Sequence, residues 1–180
     1  EAQRRGLLNL KTTADALPSF IAPKNAELFA RHKIFTPSEL QSRYEILMEV
    51  YCKKLHIEAL TMMDMARRQI LPAVTGYIHE LTRCALDKQA LSGSLSCEFE
   101  KDTTSRLSVC CASIQQTVTK LADDLSQAEA QADITERGRF YTEILLPDMN
   151  ALRLAADEAE RLTAATAWPF PTYNQLLYSV

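Results

Sequence analysis

The feature that most constrains this chain is a run of apolar residues that keeps helical spacing from Thr36 to about Leu91. Pro37 follows Thr36 directly, and Glu39 stands three residues after it. Thr36 is therefore a good N-cap, because proline suits the first helical position and Glu39 can complete a capping box. Steps of three and four predict one long amphipathic helix. The stripe consists of Leu40, Tyr44, Leu47, Tyr51, Leu55, Ala59, Met62, Ala66, Ile70, Ala73, Tyr77, Leu81 and Cys84.

The length of this helix decides what the rest of the chain must do. About 55 residues of α-helix span roughly 80 Å, so other helices must pack along it. Pro72 is the only strong breaker, because it removes one hydrogen bond and crowds the carbonyl of Arg68. Since the stripe keeps its phase across Pro72, the pattern favours a bend between Arg68 and Pro72. Two separate helices are the alternative.

Two further helices are predicted after a turn at residues 91–96, which contains Gly93. One runs from Cys97 to about Ala132. The next begins after Asp133, which can act as an N-cap with Glu136 at the third helical position, and Pro147 marks a kink or a restart in it. The inward face of the Cys97 helix is predicted at Leu107, Cys110, Ile114, Val118, Leu121, Leu125 and Ala128.

These elements predict an all-α protein, an antiparallel helical bundle built on one very long helix that is bent at a proline. The chain has only four glycines, which leaves few places for hairpins or phosphate-binding loops. Residues 1–35 are expected to be irregular with short helices, residues 36–165 to form the bundle, and residues 166–180 to form a docked tail rich in aromatic residues and proline.

Composition excludes several classes of function. The net charge of −3 lacks the basic surface of a nucleic-acid-binding protein. No stretch is apolar enough for a membrane span, so neither nucleic acid nor membrane is expected as a partner. The five cysteines form no C-x-x-C pair, which favours reduced thiols and a cytoplasmic location. The chain begins Glu-Ala-Gln rather than with methionine, and we expect it to be part of a longer protein.

Motifs for chemistry are missing from the sequence. None of His32, His56 and His79 has an acid three residues before it, so the Glu-x-x-His pattern of di-iron bundles does not occur. No phosphate-binding loop or nucleophile elbow is present. We therefore predict no catalytic, cofactor-binding or metal-binding residue in this chain. Aromatic side chains on the long helix and in the tail are instead predicted to pack or form interfaces: Phe35, Tyr44, Tyr51, Tyr77, Trp168, Phe170 and Tyr173.

Four segments together resemble one known family. They are RRGLLNLKTTADALP at residues 4–18, IFTPSELQSRYEIL at 34–47, IEALTM at 57–62 and WPFPTY at 168–173. In this order they resemble the C-terminal region of type III glutamine synthetase, the large-subunit bacterial form. The similarity is dense over about the first 75 residues and close again in the last 13, while the middle matches mainly in helical character.

The resemblance implies a parent enzyme that joins ammonia to glutamate with ATP and Mg²⁺ or Mn²⁺, assembled as a dodecamer. Its catalytic motifs would lie upstream, since none occurs here. This chain would then pack against its own catalytic domain and sister subunits as a structural domain, inactive by itself. A free-standing helical adaptor is the alternative, and a carboxylate-bridged metal bundle is disfavoured by the missing Glu-x-x-His.

Overall fold

The computed structural model describes residue 1, residues 4–171 and residues 173–178, although nothing is described of the side chains of Tyr173 and Asn174. All regular structure in these residues is helical, which confirms the all-α prediction. The helices are α1 (Thr13–Phe20), α2 (Pro23–Arg31), α3 (Pro37–Met65), α4 (Leu71–Leu91), α5 (Glu98–Ala130), α6 (Ile134–Phe140), α7 (Leu146–Leu162) and α8 (Tyr173–Tyr178).

The capping box at the start of α3 is confirmed. The Thr36 amide donates to Glu39 Oε2 at 2.8 Å, and the Glu39 amide donates to Thr36 Oγ1 at 3.3 Å. The hydrogen bond from the Thr36 amide also lowers the pKa of Glu39. At α6, the Asp133 carboxylate accepts from the amides of Thr135 and Glu136, as an N-cap should. Both helix starts are therefore determined within a few residues of sequence.

Helical backbone continues through Pro72, so the prediction of one bent helix of about 55 residues is confirmed. The interruption is a π turn at Ala66–Ile70, where the Leu71 amide reaches back to the Ala66 carbonyl. A second π turn at Tyr141–Leu145 precedes Pro147 in the same way, with the Leu146 amide donating to the Tyr141 carbonyl. A π turn widens the helix, which relieves the crowding that each proline ring causes in the turn before it.

The chain divides into two compact units. The first unit comprises residues 1–59 and 123–147, and the second comprises residues 60–122 and 148–180. Helices α3 and α5 each contribute residues to both units.

In the first unit, α3 and α6 lie side by side and run in the same direction. The Tyr44 hydroxyl is hydrogen-bonded to Thr135. Tyr51, about two helical turns later on α3, is hydrogen-bonded to Thr142. Met48 lies between these two tyrosines on α3 and is 0% exposed. It packs directly against Gly138, where an added Cβ would stand 2.5 Å from the Met48 sulfur. Glycine therefore allows the close approach of α6 to α3.

In the second unit, α5 runs antiparallel to both α4 and α7. Cys97 and Glu100 at the start of α5 meet Ala85 and Lys88 near the end of α4. Toward α7, Lys120 pairs with Asp148 at 2.6 Å, and Arg106 on the earlier part of α5 pairs with Glu158 at 3.5 Å. Ion pairs thus link the helices of this unit around an apolar core.

The inward face predicted for α5 is confirmed at all seven positions, since each of these residues is buried. Six positions of the stripe predicted along α3 and α4 are not buried, among them Tyr77, which is half-buried, and Cys84, which is exposed. At the other four, the residue one position later is buried, which turns the inward face by about 100° on a helix. The predicted residues are Leu47, Tyr51, Met62 and Ala73, and the buried ones are Met48, Cys52, Met63 and Val74.

Candidate functional site

Phe35 was predicted to pack or form an interface, and it lies in an aromatic cluster of the first unit. Its ring stands 5.6 Å from the ring of Phe29 and 6.3 Å from that of Phe20. The Arg43 guanidinium lies over the same ring at 4.7 Å, a distance suited to a cation–π interaction. Phe35 is half-buried by these contacts, and the cluster joins α1, α2 and the start of α3.

Tyr44 and Tyr51 form hydrogen bonds inside the first unit. Tyr44 is only 2% exposed, and its hydroxyl lies 2.8 Å from Thr135 Oγ1. The Tyr51 hydroxyl lies 3.0 Å from Thr142 Oγ1, and Thr142 in turn donates to the Gly138 carbonyl. Because buried hydroxyls need partners, these pairs hold α6 in register on α3.

The remaining aromatic candidates belong to the second unit. Tyr77 is half-buried on α4. Trp168 and Phe170 meet edge to face, with ring centroids 6.2 Å apart and an interplanar angle of 72°. Both rings line a groove of about 290 Å³ whose other wall includes Ile70 and Ala156. The side chain of Tyr173 lies outside the described residues.

An apolar surface on α3 faces away from the core of the first unit. It is formed by Ile46, Leu47 and Val50, which are 57%, 47% and 42% exposed. Spacings of three and four residues place these side chains on one face of the helix, and we call them the α3 patch. Exposure of large aliphatic side chains to water is unfavourable, and their burial against a partner is favourable. A contiguous patch of this kind is therefore typical of an interaction surface.

A polar pocket of about 450 Å³ also lies in the first unit, lined in part by Cys52, His56, Arg137 and Tyr141. The His56 Nδ1 atom is 3.1 Å from the Tyr141 hydroxyl, and His56 Nε2 is 3.6 Å from Glu129 Oε1. Burial raises the pKa of Tyr141 to about 12, so this phenol stays neutral at physiological pH. Arg137 is held by the carbonyl of Gln131.

This pocket lacks an activated nucleophile among its described side chains. The Cys52 thiol is the group in this pocket with the greatest nucleophilic potential, but burial raises its pKa. Cys110 and Cys111 also have thiol pKa values raised by burial, and all five cysteines are free. Because the thiolate is the nucleophile, Cys52, Cys110 and Cys111 are poorly suited to covalent catalysis. The His56 network is better explained as polar support for the α3–α6 packing.

No three His, Cys, Asp or Glu side chains among the described residues gather closely enough to hold a metal ion. No helix in residues 4–171 or 173–178 is long and apolar enough to cross a membrane.

Comparison with known proteins connects this helical fold to one family. The family described as "Glutamine synthetase C-terminal domain" matches residues 1–89. A glutamine synthetase of Butyrivibrio fibrisolvens is 37% identical over 180 residues, which cover 100% of this chain and 26% of that protein. The chain belongs to the glutamine synthetase C-terminal domain family.

Two more distant relatives align over nearly the whole chain. The type-3 glutamine synthetase of Dictyostelium discoideum is 28% identical, covering 98% of this chain and 25% of that protein. A glutamine synthetase of Bacteroides fragilis is 26% identical, covering 99% of this chain and 25% of that protein. The chain therefore spans about a quarter of the length of these relatives. The alignments extend beyond the glutamine synthetase C-terminal domain match and include α5 to α8.

Three features that matter for the site were not found from the sequence. The sequence pattern does not single out Gly138, and the π turn at Tyr141–Leu145 that follows it has no signal in the pattern. The α3 patch was missed because Leu47 was assigned to the core. Glu100 lies in the first turn of α5, where acids are favoured, and nothing in the local sequence signals its burial.

Proposed function

We propose that this chain is the structural and oligomerisation domain of a type III glutamine synthetase, packing against its catalytic domain and sister subunits. The observation that carries the proposal is the α3 patch, an exposed aliphatic face on a helix whose opposite face is fully buried. Membership of the glutamine synthetase C-terminal domain family supports a covering partner within the parent protein, since the relatives are about four times as long as this chain.

Catalysis belongs to the rest of such a parent protein. A glutamine synthetase joins ammonia to glutamate and uses ATP with Mg²⁺ or Mn²⁺, and carboxylates hold the metal. The described residues do not fit such a centre, because no three potential ligands converge. The reaction is therefore assigned to residues outside this chain, and the parent is proposed to be a cytoplasmic dodecamer.

The first test concerns activity. The pure 180-residue chain should form no glutamine from glutamate and ammonia in the presence of ATP and Mg²⁺. The full-length parent, assayed in parallel, is the positive control. Turnover by the isolated chain would refute the structural role.

The second test concerns assembly. In the full-length parent, Ile46→Asp combined with Val50→Asp should convert the large assembly to smaller species, because a charge at each position opposes burial of the patch. Mass photometry or light scattering after size-exclusion chromatography measures the mass. Gln41→Asp adds a negative charge at an exposed position of the same helix and should leave the assembly intact.

Two outcomes would count against the interface. If the double variant assembles like the wild type, the α3 patch does not hold subunits together. If Gln41→Asp dissociates the assembly equally, the effect is one of general charge on α3 and not of the patch. Circular dichroism of each variant shows whether the helices remain folded.

A further inference from the structure

The groove between α4 and α5 contains a buried carboxylate that is only half satisfied. Glu100 is 4% exposed, and its Oε1 atom is bonded by Lys88 and lies 3.6 Å from the Cys84 sulfur. Its Oε2 atom is also buried and has no hydrogen-bond partner among the described residues. Buried polar atoms are nearly always paired, so an unpaired carboxylate oxygen beside a groove indicates a position for a donor.

A second unpaired atom lies one helical turn further along α5. The Thr104 hydroxyl oxygen is buried and likewise lacks a partner in the described part of the chain. Glu100 and Thr104 both line a groove of about 520 Å³, together with Thr82, Ser105 and Ser108. Ala85 and Val109 give the same groove apolar walls. A volume of this size suits a small molecule.

The charges around the groove limit what can bind there. Lys88 lowers the pKa of Glu100 by its hydrogen bond, so the carboxylate is ionised at neutral pH and can only accept. Lys88 already balances that charge, and Lys101 also lines the groove, so an additional cation would meet two ammonium groups. An anion would be repelled by the ionised Glu100 carboxylate, whose Oε2 atom has no partner among the described residues. The surroundings therefore favour a neutral group.

We propose that this groove binds a small molecule through a neutral primary carboxamide, whose N–H donates to Glu100 Oε2 and whose oxygen accepts from the Thr104 hydroxyl. A primary carboxamide carries a donor and an acceptor on one carbon, which matches two unpaired atoms one turn apart. The inference is independent of the proposed structural role, because binding is measured on this chain alone.

Nuclear magnetic resonance titration of the 180-residue chain tests the site. L-Glutamine carries the carboxamide, and L-glutamate replaces only its amide nitrogen with oxygen. Glutamine should shift backbone amide signals of residues 101–109, and glutamate should bind at least tenfold more weakly. Absence of shifts with glutamine at millimolar concentration, or equal shifts with both probes, would overturn the proposal.

Thr104→Val removes the hydroxyl while keeping the shape of the side chain. It should weaken glutamine binding about fivefold, the effect expected for one hydrogen bond. Thr117→Val is the matched control, because Thr117 lies on the same helix and bonds to the carbonyls of Ser113 and Ile114. Equal weakening by both substitutions would contradict a specific role for Thr104.

Glu100→Gln gives the sharpest outcome. The new amide can donate where the carboxylate only accepted. The groove should therefore bind glutamate more tightly than glutamine. A folded variant that still prefers glutamine would refute the assigned contact. If loss of the Lys88 ion pair unfolds this variant, the Thr104→Val and Thr117→Val pair still decides the question.

Discussion

The two units join their helices with different chemistry. In the first unit, α3 and α6 are linked by the neutral hydroxyl pairs Tyr44–Thr135 and Tyr51–Thr142, at 2.8 and 3.0 Å. In the second unit, α5 is linked to its neighbours by ion pairs, among them Lys88–Glu100 and Lys120–Asp148. Both units surround these links with a core of fully buried aliphatic side chains.

The difference teaches how each unit should respond to its conditions. Hydroxyl pairs tolerate a change of pH in the acid range, whereas a carboxylate that is paired in the folded state loses its partner when it is protonated. A buried phenol lowers the stability of the fold at alkaline pH instead, because burial raises its pKa and the unfolded chain ionises first. The first unit should therefore be sensitive to alkali through Tyr141, and the second to acid through Glu100.

The largest expected effect tests the cores themselves. Met48→Ala in the first unit and Ile114→Ala in the second should each cost about 2–5 kcal/mol of unfolding free energy, since both side chains are 0% exposed. Leu47→Ala, next to Met48, should cost under about 1 kcal/mol because half of that side chain is exposed. Urea denaturation followed by circular dichroism measures all three. A larger loss for Leu47→Ala than for Met48→Ala would show that the inward face of α3 is wrongly assigned.

A smaller effect concerns the close approach that only the first unit contains. Gly138→Ala places a Cβ against the Met48 sulfur, and overpacking of this kind costs about 1–3 kcal/mol. The better helix propensity of alanine offsets about 1 kcal/mol of this. The double variant with Met48→Ala should lose less stability than the sum of the single variants. Strict additivity in the same denaturation experiment would mean that the two residues do not touch.

Glu100 of the second unit should contribute to the acid limb of stability. Lys88 holds the pKa of Glu100 below its ordinary value of 4.5. The stabilisation is therefore present above that pH and lost as pH falls through the lower folded-state pKa. Glu100→Gln should flatten the decrease in denaturation midpoint between pH 6 and about pH 3. Tyr44→Phe, which removes a hydroxyl in the first unit, should retain the full decrease, and an unchanged acid limb in Glu100→Gln would refute the assignment.

A further effect should appear at alkaline pH in the first unit. Burial raises the pKa of Tyr141 from 10.0 to about 12. Its contribution is fully present below pH 10 and is lost as pH rises toward 12, because the unfolded chain ionises first. Tyr141→Phe should reduce the alkaline loss of stability. Tyr178→Phe, at an exposed position, should not reduce it, and an equal response of the two variants would contradict the role of Tyr141.

The prediction of buried positions succeeded on α5 and failed in part on α3 for a reason visible in the residues. On α5, buried positions such as Leu107 and Ile114 have polar or charged residues beside them, so only one stripe can be drawn. On α3, Leu47 stands next to Met48, and Met62 stands next to Met63. Steps of three and four pass through either member of each pair, and hydrophobicity alone cannot choose between them.

The same ambiguity concealed the α3 patch. Leu47 was counted as a core residue, so the neighbouring exposed residues Ile46 and Val50 were not recognised as part of one surface. Tyr44 and Tyr51 were predicted as packing or interface residues without a way to tell which. Their partners Thr135 and Thr142 lie 91 residues further along the chain, and no local pattern connects positions at that distance.

The sequence by itself determined the helical class, the capped starts of α3 and α6, and the continuation of the long helix through Pro72. These depend on interactions within about one turn, which are present wherever the chain is helical. Tertiary structure alone decided the inward face of α3, the approach of Gly138 to Met48 and the burial of Glu100. Each of these depends on a helix brought alongside from a distant part of the chain, so the same local sequence permits more than one answer until the partner is in place.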